Sequence, residues 1–122
     1  MFIGQTIVAE NMTGTTVYTP WFPRQGDAMT SAAEVTAFSS AGELTISILD
    51  KDSEQTGDAP NAAVGSFDAV TSAASPPPKR VSGLRQLVRY KIILKRTSST
   101  GTIYAHLRML APSWESTGAQ GV

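Results

Sequence analysis

The sequence predicts an all-β fold, a single β-sandwich of about seven or eight short strands. Three observations predict it. Apolar and polar residues alternate at every second position along most of the chain. Clusters of Gly, Pro, Asn, Asp and Ser interrupt these runs at short intervals. No segment sustains the 3.6-residue apolar period of an amphipathic helix. The 122 residues suit one domain, and such a chain buries roughly two-thirds of its unfolded surface without covalent staples. Charged residues are 16% of the chain, against about 25% in an average soluble domain. Ser, Thr, Gly and Ala fill the difference, as in β proteins with small-residue turns.

Taken in order, Phe2–Val8 is a first short strand, and Glu10-Asn11-Met12-Thr13-Gly14 turns the chain. Thr15–Phe22 is a second, rich in residues that suit a half-buried pleated surface. Pro20 and Pro23 bracket Trp21-Phe22, so this strand ends at an edge or leaves the sheet there, since proline cannot donate to a ladder. Arg24–Thr30 reads as a loop and Ser31–Ser40 as a strand, because Val35, Thr36 and Phe38 outweigh the helical leaning of the alanines. Leu44–Asp50 alternates Leu44, Ile46 and Ile48 with Thr45, Ser47 and Leu49. With the preceding strand it is expected to form a hairpin through Ala41-Gly42-Glu43.

Asp52–Ala63 is a polar loop, Gly65–Val70 a short strand, and Ser75-Pro76-Pro77-Pro78 a stiff extended connector. Lys79–Ser82 is extended and Gly83-Leu84-Arg85 a corner. Leu87–Arg96 carries the strongest alternation: Val88, Tyr90, Ile92 and Leu94 face one way, Arg89, Lys91, Ile93 and Lys95 the other. Ser98-Ser99-Thr100-Gly101 reads as a hairpin loop before Thr102–Leu110, whose Ile103, Ala105, Leu107 and Met109 share a face. A polar tail is expected from about Pro112, apart from Trp114.

Chemistry-bearing motifs are few. The chain has no cysteine, which removes disulfides, thiolate metal sites and a cysteine nucleophile. Its one histidine, His106, makes no zinc site alone and has no triad motif around it. Asp50, Asp52 and Glu54 open like a calcium loop, but Gln55 stands where the loop needs glycine and Asn61 where it needs the closing Glu. No glycine-rich phosphate cradle and no G-x-S-x-G elbow occurs. The expectation is a protein without catalysis, cofactor or metal. No apolar run nears the ~18 residues of a membrane span. Met1-Phe2-Ile3-Gly4-Gln5 lacks the basic and apolar regions of a signal peptide, so synthesis in the cytoplasm without secretion is expected.

Formal net charge is zero, yet the charges are segregated. Residues 1–70 hold nine of the ten acids and two of the ten bases, a net of −7. Residues 71–122 hold Glu115 alone against eight bases, a net of +7. Either strands from the two halves neutralise each other inside the fold, or acidic and basic patches meet across subunits. The basic set Arg89, Lys91 and Lys95 and the large apolar groups Trp21, Phe22 and Trp114 are therefore the candidate interface. Nucleic acid is disfavoured as a partner, because Tyr90 alternates away from the basic face and single-strand binders interleave aromatics with cations.

Two resemblances follow. Val81-Ser82-Gly83-Leu84-Arg85-Gln86-Leu87-Val88-Arg89-Tyr90 resembles the corner of fibronectin type III and immunoglobulin-like domains, with Leu84 six residues before Tyr90. Gln86 stands where that family usually has proline. The resemblance implies an immunoglobulin-like sandwich in which the Tyr90 hydroxyl bonds back to upstream backbone; a jelly-roll-like sandwich is the other option. The whole-chain pattern is similar to small cysteine-free β proteins of tailed-phage virions, the capsid decoration and cement proteins. That similarity implies a bacteriophage structural protein located in the virion. It would bind capsid or other virion protein, identical subunits or both, as a homo-oligomer in an assembly without membrane contact. The alternatives are an immunoglobulin-like adhesion or carbohydrate-binding module and, from another class, a small β-fold hydrolase or isomerase.

Overall fold

The computed structural model describes residues 3–9, 14–39, 41–52, 63–97 and 102–115. Among them it holds strands and no helix, a β-sandwich-like, all-antiparallel arrangement. The strands are β1 (Ile3–Ala9), β2 (Thr15–Tyr18), β3 (Phe22–Pro23), β4 (Ala28–Ser31), β5 (Ala33–Phe38), β6 (Gly42–Lys51), β7 (Ala63–Ser66), β8 (Lys79–Ser82), β9 (Leu87–Arg96), β10 (Ile103–Met109) and β11 (Ser113–Glu115).

One layer is the sheet β2-β9-β6-β7, with β3 also on β9. Its centre is a ten-residue ladder in which Gly42 stands opposite Arg96 and Lys51 opposite Leu87. The other layer consists of two three-stranded sheets, β1-β10-β5 and β11-β4-β8. These are joined by two bent strands. Only Ala32 separates β4 from β5, and only residues 110–112 separate β10 from β11. The Leu110 N–H donates to the Ala32 carbonyl at 3.0 Å and carries the pairing across the bend. The strand count exceeds the expected seven or eight because the Thr15–Phe22 segment divides in two and β4 and β11 form where a loop and a tail are expected.

The inward faces are the ones the alternation marks. Val88, Tyr90, Ile92 and Leu94 of β9, Leu44, Ile46 and Ile48 of β6, and Ile103, Ala105, Leu107 and Met109 of β10 are all at most 2% exposed. They form one cluster with Met29, Val35, Phe67 and Leu84, drawn from both layers and the connections between them. At one side the layers press together closely: a Cβ on Gly65 of β7 would lie 2.5 Å from Val81 Cγ1 of β8. Glycine is required there by space.

The partners of several strands differ from expectation. β5 and β6 form no hairpin: β5 pairs with β10 and β6 with β9, in opposite layers. The connection turns through Ala41 at φ 63°, whose carbonyl accepts from the Thr97 N–H at 2.8 Å. Likewise β9 and β10 lie in opposite layers, so the strands flanking 98–101 make no hairpin; those loop residues lie outside the described ones. The physical reason is shared. Each of these strands has a fully apolar face, and consecutive strands bury both such faces by crossing the core. Period-2 patterning sets which face is buried but does not choose the neighbour.

Three boundaries also move. The segment expected as one strand over Thr15–Phe22 breaks at Thr19-Pro20-Trp21. There the Thr19 N–H donates to the Tyr90 carbonyl at 3.0 Å, and the Thr19 hydroxyl accepts from the Tyr90 N–H at 3.0 Å. The expected loop Arg24–Thr30 yields to β4 from Ala28, because Ala28 and Met29 are fully buried. The tail expected from about Pro112 begins with β11, held by Trp114 standing opposite Met29.

The corner before β9 is built differently from the one it resembles. The Tyr90 hydroxyl shares a 2.7 Å hydrogen bond with Ser31 Oγ, a side chain of the opposite layer, and not with upstream backbone. The corner itself is fixed by the buried Asp50 carboxylate. It accepts from the Arg85 N–H at 2.9 Å and from Arg85 Nη2 at 2.9 Å.

Two outcomes test this core. Ile92→Ala should cost about 2–5 kcal/mol in urea denaturation, while Lys91→Ala, on the outward face, should cost less than about 1 kcal/mol. Equal small losses would mean the faces of β9 are reversed. The second concerns pH. Burial pushes the Tyr90 phenol above its ordinary value of 10.0, and the Ser31 hydrogen bond opposes part of that shift. The unfolded chain therefore loses this proton first. The Tyr90 contribution to stability is complete below about pH 10 and disappears as pH rises from there through the folded-state value. Tyr90→Phe should cost about 1–3 kcal/mol at neutral pH, because Ser31 loses its partner. The gap between the two proteins should narrow above about pH 10, measured by denaturation at stepped pH.

Candidate interface on the outer sheet face

The outward side of β9 carries Arg89, Lys91, Ile93 and Lys95, and neighbouring strands decide what each becomes. On β2, Val17 packs toward the core while Tyr18 alternates outward, 40% exposed, opposite Lys91 in the register. The break at Thr19-Pro20 then lets the chain rejoin β9 with Phe22 opposite Val88. That change places Phe22 inward and leaves Trp21 on the outer side.

The result is a stack. The Arg89 guanidinium carbon lies 4.0 Å from the centre of the Tyr18 ring and 4.5 Å from that of Trp21. Lys51 Nζ lies 4.7 Å from the Trp21 ring centre and Lys91 Nζ 5.8 Å from the Tyr18 ring centre. Two electron-rich ring faces thus hold three cations, and each such contact contributes roughly 0.5–2 kcal/mol according to its burial. Arg89 is only 8% exposed. The cation most open to a partner is therefore Lys91, with Tyr18 beside it.

The expected row of Arg89, Lys91 and Lys95 is not uniform. Arg89 is buried between rings and takes a structural part. Lys95, at the far end, pairs with Glu43 at 3.3 Å. Ile93 separates it from Lys91. Of the three aromatic candidates, only Trp21 reaches this face. Phe22 and Trp114 meet each other at 6.4 Å, nearly edge-on, and Phe22 meets Tyr90 at 5.8 Å. Both pack on the core cluster and close one end of the sandwich. A shallow open groove beside them is lined by Phe22, Pro23, Gln25, Pro112 and Trp114. Gln25 is its single polar side chain, so the groove brings no acid, base or nucleophile together.

The sequence left two members of the stack unmarked, Tyr18 and Lys51. Tyr18 had a signal: Thr16 and Tyr18 form the outward set of β2, so any strand pairing β2 with β9 puts Tyr18 among the cations. The expectation that aromatics avoid the basic face considered Tyr90 alone. Lys51 had no such signal, since the approach of Trp21 depends on the β2–β3 break.

Three ion pairs join the two charge halves within the fold. Arg85 pairs with Asp50 at 2.9 Å, Lys95 with Glu43 at 3.3 Å and Arg108 with Glu34 at 2.6 Å. Each of these joins the basic half to the acidic half. Arg80 also pairs with Glu115, within the basic half. Asp50, the first residue of the calcium-like run, is held by Arg85; Glu54 lies outside the described residues. Among the described residues no group of three acids or histidines could hold a metal ion. His106 is exposed on β10, opposite Thr6 and Ala37.

No protein-family model matches the chain, and no curated protein matches it either.

If the stack stabilises the face, Arg89→Glu should cost about 2–4 kcal/mol in chemical denaturation, since it buries a carboxylate against two ring faces. Arg89→Lys should cost less, about 1 kcal/mol, because the charge survives without the planar stacking surface. A neutral Arg89→Glu would show that the rings and the guanidinium are merely adjacent.

Proposed function

We propose that this protein is a non-catalytic structural protein of a virus particle. It binds the capsid surface and stabilises the shell by bridging subunits. The observation that carries the reading is the cation–aromatic face: Lys91 and Tyr18 stand in a row held in place by the buried Arg89 between Tyr18 and Trp21. Such a face is rigid before binding, so little side-chain entropy is lost when an acidic, apolar-edged surface covers it. Tyr, Trp and Arg are the residues that most often carry binding energy at protein interfaces. The charges select partner and register, and the rings supply apolar contact. The compact cysteine-free sandwich suits a part used in many copies.

A second reading has its own support. An aromatic ring exposed on a sheet face stacks well on a sugar ring, so the exposed Tyr18 beside the half-buried Trp21 also suits a carbohydrate-binding or adhesion module.

The deciding measurement is the copy number of the protein in purified virus particles, by quantitative mass spectrometry, with immunogold labelling to place it. Many copies on the outer surface are expected. Added protein should rebind stripped shells. The double variant Tyr18→Ala/Lys91→Glu, which spares Arg89, should bind at least about tenfold more weakly, a loss of about 1.4 kcal/mol. His106→Ala should bind like the unaltered chain. Absence from particles, together with retention on a glycan array that Tyr18→Ala abolishes, would favour the carbohydrate reading.

A further inference from the structure

We propose that β1 is the strand through which two copies of this chain join, edge to edge and antiparallel, into a two-fold dimer. A strand at a sheet edge offers a row of backbone donors and acceptors to any other strand, and proteins blunt such edges with charge, proline, bulges, shortness or cover. Every other edge among the described residues carries one of these devices. β8 has four residues and carries Lys79 and Arg80. β11 has three and includes Glu115. β2 and β3 are short and interrupted by Pro20 and Pro23. The four-residue β7 pairs through a register shift at Ile48/Leu49. The free side of β5 is covered by the segment before β8, where the Val35 N–H donates to Ser75 Oγ at 3.1 Å.

β1 carries no charge, proline, bulge or shortness to blunt it, though β2 and β9 approach it. It runs for seven residues, Ile-Gly-Gln-Thr-Ile-Val-Ala, without a charge or a proline. It pairs continuously with β10, from Ile3 opposite Met109 to Ala9 opposite Ile103. Among the described residues no strand pairs with its other side.

A second copy is the occupant that this sequence fits. An antiparallel pair about a two-fold axis sets a strand against itself, and a charged strand would then bring like charges together. With the axis at Thr6, the middle of β1, Ile3 meets Ala9, Gly4 meets Val8, Gln5 meets Ile7 and Thr6 meets Thr6, none of them charged. A chain with a formal net charge of zero also adds little long-range repulsion between copies. The β1-β10-β5 sheets of the two copies would become one continuous sheet. The proposal stands independently of shell binding, because it is tested on the purified chain alone.

The absence of cysteine from the chain gives a direct test. Gln5→Cys, Thr6→Cys and Ile7→Cys are each oxidised mildly. Facing residues of an antiparallel pair have Cα atoms about 4.5–5.5 Å apart, within disulfide reach, so at least Thr6→Cys should form a linked dimer. Ser113→Cys, on the short β11, should not. Sedimentation equilibrium should give twice the 12.9 kDa chain mass for the unaltered protein. Thr6→Lys, opposite the exposed His106 in the register, should weaken the dimer at least about tenfold. A chain that stays monomeric at about 1 mM overturns the proposal. So does a dimer that none of the three cysteines cross-links.

Discussion

The ten-residue ladder between β6 and β9 is the constraint on which the rest of the structure depends. It is the longest pairing among the described residues, and its two sides differ, one apolar and one mixed. Inward it presents Leu44, Ile46, Ile48, Val88, Tyr90, Ile92 and Leu94, all at most 1% exposed. That surface must be covered, which forces the kinked layer of β4, β5, β10 and β11 to lie across it. Fully burying one such side chain contributes about 1.5–3 kcal/mol, so the choice of covering layer is dominated by this face.

Polar groups at the ends of the ladder decide how the layers are aligned. Tyr90 reaches across the core to Ser31, and a buried hydroxyl without its partner would cost about 1–3 kcal/mol. Sliding one layer over the other would incur that cost. Asp50 performs the same service for the corner at Gly83–Gln86 through Arg85, while Arg24 holds the other side of that corner by donating its N–H to the Gln86 carbonyl at 2.9 Å. A hydrophobic sandwich alone tolerates small shifts of register; these directional bonds remove them.

On the outer side the same ladder carries the stack on which the proposed binding face rests. Arg89 would be a mobile surface cation if β9 were bare. Between Tyr18 and Trp21 it becomes part of the scaffold, and the positive charge is displayed through Lys91 and the exposed tyrosine ring. Cross-half pairs such as Arg108–Glu34 take up part of the split of charge between the chain halves. The patch proposed to meet a partner is Lys91 with Tyr18 beside it. The uncharged edge at β1 lies in the other layer, so recognition and self-association would use separate surfaces.

The sequence by itself determined the fold class and nearly every buried face. Alternation is a property of single strands, and the sets Val88/Tyr90/Ile92/Leu94 and Ile103/Ala105/Leu107/Met109 could be read without knowing any neighbour. Pro20 and Pro23 marked an edge for the same reason, since proline acts on its own backbone, but the strand expected through Phe22 breaks at Thr19-Pro20-Trp21. Only the tertiary structure decided which strands pair. The expected β5–β6 and β9–β10 hairpins became crossings between layers because a two-residue period says nothing about partners. β4 and β11 escaped notice because Ala28, Met29 and Trp114 are short signals that become apolar faces only when set against each other. The candidate interface was half legible: Arg89, Lys91 and Trp21 stood out by type. Tyr18 and Lys51 joined them through the β2–β9 register and the turn at Thr19-Pro20, which assemble in space residues that lie more than thirty positions apart in the chain.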